Sequence, residues 1–598
     1  MPIPSCGDSL LESMRKNTVH SISRIGVERE KGRREGIYNV FKWWGRRFAS
    51  IIRGLLAAVV LREGDDALAI EAAEGRVPLK VIESARGLTL LDAYSGSGVA
   101  SIEAARLGYN AVGVDIEPAA YYTSTATWSI ASCKCNEKIM CLERALMKAW
   151  AETSSLWCIT PSICIVHVLA SRCPPCRAPI WLYTKKVNGR KVLGVIDDDG
   201  SIHEVSVDDL AVSPLNPSLK LSGKSLPEVA PGIVAYAVEL YSLDGKNRRW
   251  VSLLNDTSES KDIRFFLEES LDRAKKLVGS LNLGDVSIPE GRETRKLLKM
   301  GIKRVGDLLT ERQKASLHAF IKWSGIKCRV EASLIVAGAM RSSSLLAFYY
   351  QPAGRVNPGL VVKSYWMPPN PVELNPLAGT MKPYLKPLGR GGLMGYVKRY
   401  SRICRTCFKE PPGKALFLMK DLARVNVRAD VSIADPPYPR GFRYSETLLL
   451  HRYALKIAGL NHEPDNGSYV DGLTTHKRYL NAIKPSFEKL LKTLRKGAPV
   501  ILLVGVYNEE AAKAVMGLVD LMRKNGVGIA GIYPFLGEAP GALGRSRSRV
   551  VLAIAGRKGC GFDDPRVYKP GEVIGAGLER EDALVSSIAS AITCEKGM

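Results

Sequence analysis

Between Leu88 and Pro118 the chain runs from an apolar strand into a glycine turn, then a helix, then a second strand, and few folds accept that order. Leu88-Thr-Leu-Leu-Asp-Ala-Tyr-Ser-Gly-Ser-Gly98 reads as the strand and its turn. Val99 to Leu107 reads as the helix, stopped by Gly108, and Ala111-Val-Gly-Val-Asp-Ile-Glu-Pro118 as the next strand. Such a β-turn-α-β unit has its ligand site at the carboxyl ends of its strands. Gly96 and Gly98 remove side chains where backbone must approach a ligand, and Asp115 ends the second strand where a carboxylate can bond ribose hydroxyls. An NAD-binding enzyme makes similar use of these parts, but the turn Asp92-Ala-Tyr-Ser-Gly-Ser-Gly98 lacks the third glycine of the dinucleotide fingerprint.

More than 300 residues later a short β-branched strand, Val431-Ser-Ile-Ala, runs into Asp435-Pro436-Pro437-Tyr438. Two prolines cannot donate hydrogen bonds, and each restricts the residue before it, so the segment is a stiff rim of acceptors. An amino nitrogen conjugated to a purine or pyrimidine ring is a poor nucleophile because its lone pair is delocalised. The Asp435 carboxylate and the Pro436 carbonyl can accept hydrogen bonds from that group, and Tyr438 can stack on a base taken out of its helix. Alone, the tetrapeptide is also an ordinary strand-ending turn; the glycine turn upstream is what favours the chemical reading.

With both motifs present the chain resembles the S-adenosylmethionine-dependent amino-methyltransferases that modify adenine or cytosine in nucleic acid. It is most similar to the adenine-specific DNA methylases with a zinc ribbon. Further patches carry the likeness: Tyr38-Asn-Val-Phe-Lys-Trp-Trp-Gly-Arg-Arg47, Thr310-Glu-Arg-Gln313, Glu373-Leu-Asn-Pro376, Gly528 to Glu538 and Ser546 to Leu552. The family more often has Pro-Phe where Ala93-Tyr94 stand, and Pro where Phe48 stands. The resemblance implies a Rossmann-like methyltransferase fold acting on adenine N6 in DNA, since the cytosine enzymes more often carry Ser in place of Asp435. An RNA base amino-methyltransferase and a catalytically silent nucleic-acid-binding protein are the alternatives. It implies catalytic roles for Asp435, Pro436, Pro437 and Tyr438, and S-adenosylmethionine held by Asp92, Tyr94, Ser95, Gly96, Gly98, Asp115 and Ile116. Trp43, Trp44, Arg46, Phe442 and Tyr444 are expected to line the base pocket or close the cofactor site. Glu117 is a weaker candidate, and His451 and His476 read as surface or core residues.

The balance of 85 basic to 60 acidic residues in 598 leaves a formal charge of +25, which attracts a polyanion. The competing reading is a basic, heat-adapted surface, and a glutamine content of only Gln313 and Gln351 agrees with it. The amino terminus lacks a basic region followed by an apolar run, and the best apolar run, Ile51 to Leu61, is short and broken by Arg53. A cytoplasmic protein without a membrane partner is expected. In that compartment thirteen cysteines point to thiols or metal rather than disulfides. Cys173-Pro-Pro-Cys176 and Cys404-Arg-Thr-Cys407 are two knuckles that together supply four thiolates for a structural zinc, although their separation far exceeds the usual ribbon spacing. Cys133, Cys135, Cys141, Cys158 and Cys164 read as buried cysteines.

The expected organisation is an α/β protein with a doubly wound, mainly parallel sheet, interrupted by a large α+β insertion. Residues 1–130 form the N-terminal element and cofactor half, and 131–430 the insertion with the knuckles and target recognition. Residues 431–560 form the catalytic half, and 561–598 a tail. The sheet resumes near Val431, continues through a helix from Tyr479 to Leu494, the strand Pro499 to Val504 and a helix from Asn508 to Lys524, and closes with an antiparallel hairpin. Inside the insertion, 180–255 alternates as hairpins, 263–322 reads as helices, and Pro352 to Gly395 as extended or loop chain.

Overall fold

The computed structural model describes residues 3–594 except 31–35, 44, 173–176, 180, 189, 198, 207–217, 221–225, 243–247, 282–283, 351–354, 359, 362–363, 379–391, 408–409, 438–442, 465–472, 474, 507, 538–549 and 576–577. The chain forms two compact units. One comprises Met1–Cys135, Ile403–Tyr444 and Glu463–Met598, the other Asn136–Arg402 and Ser445–His462.

The first unit is built on an eight-stranded sheet. Its strands are β1 (Thr89–Ala93), β2 (Asn110–Asp115), β3 (Lys414–Met419), β4 (Val431–Ala434), β5 (Pro499–Gly505), β6 (Val527–Leu536), β7 (Val550–Lys558) and β8 (Arg566–Val567). They lie in the order β3-β2-β1-β4-β5-β7-β6-β8. The pairs from β3 to β5 are parallel, whereas β7 runs against both β5 and β6. The mainly parallel sheet with an antiparallel closing pair is therefore as the sequence suggests.

Strands covered on both faces must be apolar at every position rather than at alternate ones, and Pro499-Val-Ile-Leu-Leu-Val-Gly505 is buried throughout. Successive residues divide between two cores. Leu90, Val431, Ile433, Ile501 and Leu503 pack with helices α1 (Lys16–Glu30), α2 (Ala49–Val60) and α3 (Val99–Arg106). Helix α4 (Pro118–Ala131) follows β2. Leu91, Ala93, Ala434, Val500 and Leu502 pack with α5 (His476–Thr493), α6 (Glu509–Lys524) and α7 (Glu579–Cys594). The apolar run from Ile51 lies within α2, and its interrupting Arg53 is fully buried on Glu103 of α3 at 2.8 Å. An unpaired charge there would cost several kcal/mol, so the break that argued against a membrane span is a buried ion pair. No described helix is long and apolar enough to cross a membrane.

Three boundaries differ from expectation. The sheet resumes at β3 rather than near Val431. β3 sits at the sheet edge with Phe417 as its buried residue; its run Ala415-Leu-Phe-Leu-Met419 is apolar, a strand signal that the sequence reading passed over. Residues 561–598 are no tail: β8 pairs in parallel with β6, and Val585 and Ile588 of α7 enter the core. The second unit also takes up Ser445–His462 as well as the long insertion.

The second unit is α+β. Antiparallel strands Ile163–Ser171 and Ile233–Ser242 form its sheet with Glu228–Ala230, Arg248–Ser252, Cys158–Thr160 and Val372–Leu374. The expected hairpins stand at Trp181–Val187, Arg190–Ile196 and Ile202–Ser206. Helices cover Ser258–Gly279, Arg295–Lys299 and Glu311–Ser324. Thr310-Glu-Arg-Gln313 and Glu373-Leu-Asn-Pro376 meet here. Arg312 donates from Nε at 3.0 Å and Nη2 at 2.6 Å to the two oxygens of Glu373, and from Nη1 to the Leu267 carbonyl and Ser270 at 2.9 Å. Thr310 and Gln313 form a capping box at the start of the Glu311–Ser324 helix. Asn375 donates to the Ile165 carbonyl at 3.2 Å.

Cysteine pairing differs from the expectation of free thiols. Five disulfides join Cys6–Cys560, Cys133–Cys407, Cys135–Cys404, Cys141–Cys328 and Cys158–Cys164. Cys404 and Cys407 are thus tied to Cys135 and Cys133, not joined with Cys173 and Cys176 around one metal; the latter two lie outside the described residues. A sulphur in a disulfide offers no thiolate to a metal. Partners 269 and 274 residues apart leave no trace in local spacing.

Candidate active site

Parallel pairing of β1 with β4 sets the site. The register places Asp92 opposite Ile433 and Ala93 opposite Ala434. The glycine turn and the Asp435 rim therefore leave adjacent strands at the same carboxyl edge, and the Asp435 amide continues the ladder onto the Ala93 carbonyl at 3.3 Å. β2 lies on the other side of β1 and brings Asp115 to that edge.

The turn is held tightly. The Gly96 amide donates to Asp115 Oδ2 at 2.8 Å, and Glu117 donates its amide to Asp115 Oδ1 at 2.9 Å. Gly96 has φ +52°, and a Cβ there would come within 3.1 Å of the Trp43 indole nitrogen. Gly98 has φ +75°, and a Cβ there would stand 2.6 Å from Ser124 and 2.8 Å from Phe417. Gly98 thus serves the close packing of α4 and β3 on the turn. Tyr94 adopts φ +61°, in the left-handed region that costs a bulky residue energy. Its ring packs into the α5 side of the core, and its hydroxyl meets Ser486 at 2.8 Å. Only its backbone belongs to the turn. Ser95 and Ile116 are half-buried on the two strand ends, and the Ser95 amide bonds the Val114 carbonyl. Glu117 is buried and caps α4, so it does not face solvent.

The segment before α2 covers this edge. Buried Trp43 lies against Gly96 and stacks on Tyr444, with centroids 5.8 Å apart and 19° between planes. Buried Arg46 donates to Ser97 Oγ at 3.0 Å and to the Phe41 carbonyl at 3.3 Å, and lies over the Tyr38 ring. Tyr38 reaches Glu103 of α3 at 2.5 Å. Arg47 donates from Nη2 to Asp435 Oδ1 at 2.6 Å, with both side chains mostly buried. Arg47 also lines a small apolar cavity with Phe48, Ile51, Phe535 and Val551. Sequence reasoning named Arg46 as a site residue and had Arg47 only as the end of the Lys42-to-Arg47 segment expected to close the cofactor pocket; the contact with Asp435 was not foreseen. Pro436 is buried and Pro437 half-buried. Trp44, Tyr438 and Phe442 lie outside the described residues. His451 is buried on a helix of the second unit, and His476 bonds Glu510 at the start of α5.

Three carboxylates gather at the edge. Burial pushes Asp92 up to about 7, opposed by hydrogen bonds from Ser101 and reinforced by the charges of Asp435 and Asp115. Burial likewise pushes Asp115 up to about 6, opposed by the Glu117 and Gly96 amides. Both shifts mean that the free protein resists further negative charge here.

Asp92 makes stability depend on pH. The unfolded carboxyl titrates near 3.8 and the folded one near 7, so between those values the folded state binds the extra proton. Stability is then fully present below about pH 4 and falls as pH rises to about 7, by about 1.4 kcal/mol per pH unit for this group. Asp92→Asn keeps an acceptor for Ser101 and removes that slope. Denaturant titrations of both proteins at pH 4 to 8 check this, and parallel stability profiles would sink the assignment.

No protein-family model matches this sequence, and no curated protein sequence matches it.

Proposed function

We propose that the protein transfers a methyl group from S-adenosylmethionine to an exocyclic amino group in DNA, with adenine N6 as the acceptor. The observation that carries this reading is the parallel β1–β4 register, which brings two segments more than 300 residues apart to one edge of one sheet. The acidic edge adds to it. Carboxyls whose charge is disfavoured chiefly by burial, and further by neighbouring carboxylates, suit a ligand with a sulfonium and an ammonium better than the pyrophosphate of a dinucleotide.

The residues present fit that cofactor. Asp115, half-buried at the end of β2, would accept ribose hydroxyls with its remaining lone pairs. The backbone from Asp92 to Gly98, with Trp43 laid over Gly96, would hold the amino-acid end. When bound, S-adenosylmethionine supplies an electrophilic methyl group on a cationic sulphur.

On the other side of the edge, Asp435 would accept a hydrogen bond from the target amino group, with the Pro436 carbonyl as second acceptor. Their pull lets the nitrogen lone pair leave conjugation with the ring and point at the methyl carbon. Arg47 fixes the Asp435 carboxylate in place through Oδ1. Tyr438 would stack the extruded base, with Tyr444 behind Trp43 as part of the wall. Alignment and exclusion of water supply much of the acceleration in such a displacement, and no side chain has to form a covalent bond. The net charge of +25 favours a polyanionic substrate.

Tritiated cofactor incubated with DNA and RNA pools, followed by nucleoside analysis, tests the proposal. The expected product is N6-methyladenine from DNA. Label confined to RNA, label in cytosine, or no label in either pool overturns the stated activity.

A further inference from the structure

Cys133 and Cys135 follow the end of α4, whereas Cys404 is the last residue of the helix Leu393–Cys404 and Cys407 follows it. They stand at the two places where the chain leaves the first unit, after Cys135, and re-enters it, at Ile403. Their Cα atoms pair at 5.5 Å (Cys133 and Cys407) and 5.9 Å (Cys135 and Cys404). A Cys-x-Cys and a Cys-x-x-Cys segment thus bring four sulphurs to one spot.

The local backbone is bent to do this. Cys133 has φ +60°, a conformation that a non-glycine residue adopts at a cost and that recurs at functional positions. Its amide bonds the Ile130 carbonyl, and the Lys134 amide bonds that of Ser129. Opposite, the Cys407 amide returns to the Cys404 carbonyl and that of Thr406 to Ile403, both at 3.1 Å. That turn brings Cys407 back beside Cys404, each bridged to a cysteine of the opposite segment.

Two adjacent bridges are more than a crosslink needs. Either one closes a loop of about 270 residues. Once it has formed, the other closes only a few residues and removes little further chain entropy. Four converging sulphurs are, in contrast, the full ligand set of a tetrahedral zinc site, with Zn–S near 2.3 Å and neighbouring sulphurs roughly 3.8 Å apart. Lys134, Arg402 and Arg405 are exposed beside them and would favour thiolates and offset the negative charge of a four-thiolate zinc.

We propose that Cys133, Cys135, Cys404 and Cys407 are a convertible site that holds either two disulfides or one four-thiolate zinc ion. Cys133 and Cys407 are half-buried, whereas Cys135 and Cys404 are 0% and 2% exposed. The outer bridge therefore meets a reductant first, and a thiol freed there can attack the inner one. Opening both takes two equivalents of a dithiol, each passing two electrons and two protons, and yields four thiols and two oxidised dithiols. Zinc binding then releases the four thiol protons. The return releases the ion and needs two equivalents of a small disulfide as oxidant. The site uses neither Cys173 nor Cys176, and it is independent of the proposed methyl transfer.

The test uses the full chain, reduced with dithiothreitol without oxygen, freed of reductant and titrated with cobalt(II) or zinc. Expected is one ion per chain that persists in a Cys173→Ser/Cys176→Ser variant, with the visible bands of a tetrahedral cobalt thiolate. It is lost in Cys133→Ser/Cys135→Ser and absent from the oxidised protein. In unmodified protein, mass spectrometry after alkylation should find these four thiols protected by zinc, a readout that does not depend on a variant folding. Reduced protein that takes up no metal, or metal that leaves all four thiols open to alkylation, overturns the proposal and leaves a double disulfide staple.

Discussion

Asp435→Ala is expected to lower methyl transfer by roughly three orders of magnitude, within the span that loss of a positioned proton acceptor produces, while cofactor uptake is retained. On the proposed reading the carboxylate faces the target base, whereas Asp115 and the Gly96 turn hold the cofactor. The variant leaves the mostly buried Arg47 without the 2.6 Å carboxylate it now meets, so some stability is lost as well. For that reason calorimetry with S-adenosylmethionine accompanies the rate measurement. Asp435→Asn, which keeps one acceptor oxygen, should fall between the two. Full transfer by Asp435→Ala, with the cofactor bound, would remove the residue from the mechanism.

Arg312→Ala or Glu373→Ala alone is expected to destabilise the second unit by about 3–5 kcal/mol, because each leaves its partner charged and buried. Arg312 and Glu373 side chains are 1% and 0% exposed, so water cannot rescue the survivor. Arg312→Met combined with Glu373→Leu should cost far less than the sum of the single changes, since no orphan charge remains. Trp157 gives a local reporter: it is fully buried, bonded to Ser316 at 2.8 Å, and Arg312 lies over its ring. Denaturant titration followed by tryptophan fluorescence reads the three variants. Single changes that cost under about 1 kcal/mol would mean the pair is no better than a surface ion pair.

The two family-like motifs Thr310–Gln313 and Glu373–Pro376 thus have a structural role in the second unit, whereas Trp43, Arg46 and Arg47 of the amino-terminal motif lie on the candidate site. The sequence likeness ranked them together; burial and partners separate them.

What the sequence alone determined was local and periodic. Apolar runs at Leu88–Ala93, Ala111–Val114, Val431–Ala434 and Pro499–Val504 declared strands covered on both faces, and the glycine turn, Asp115 and Asp435 followed from chemistry within a few residues of each strand. The antiparallel closing pair and the α+β character of the insertion were legible in the same way. Tertiary structure alone decided which distant segments touch: the β1–β4 register, β3 at the sheet edge, α7 in the core, Arg47 on Asp435 and Cys133 and Cys135 opposite Cys404 and Cys407. Pairing across hundreds of residues depends on which surfaces meet once the chain has collapsed, and neither hydrophobic periodicity nor motif spacing carries that information.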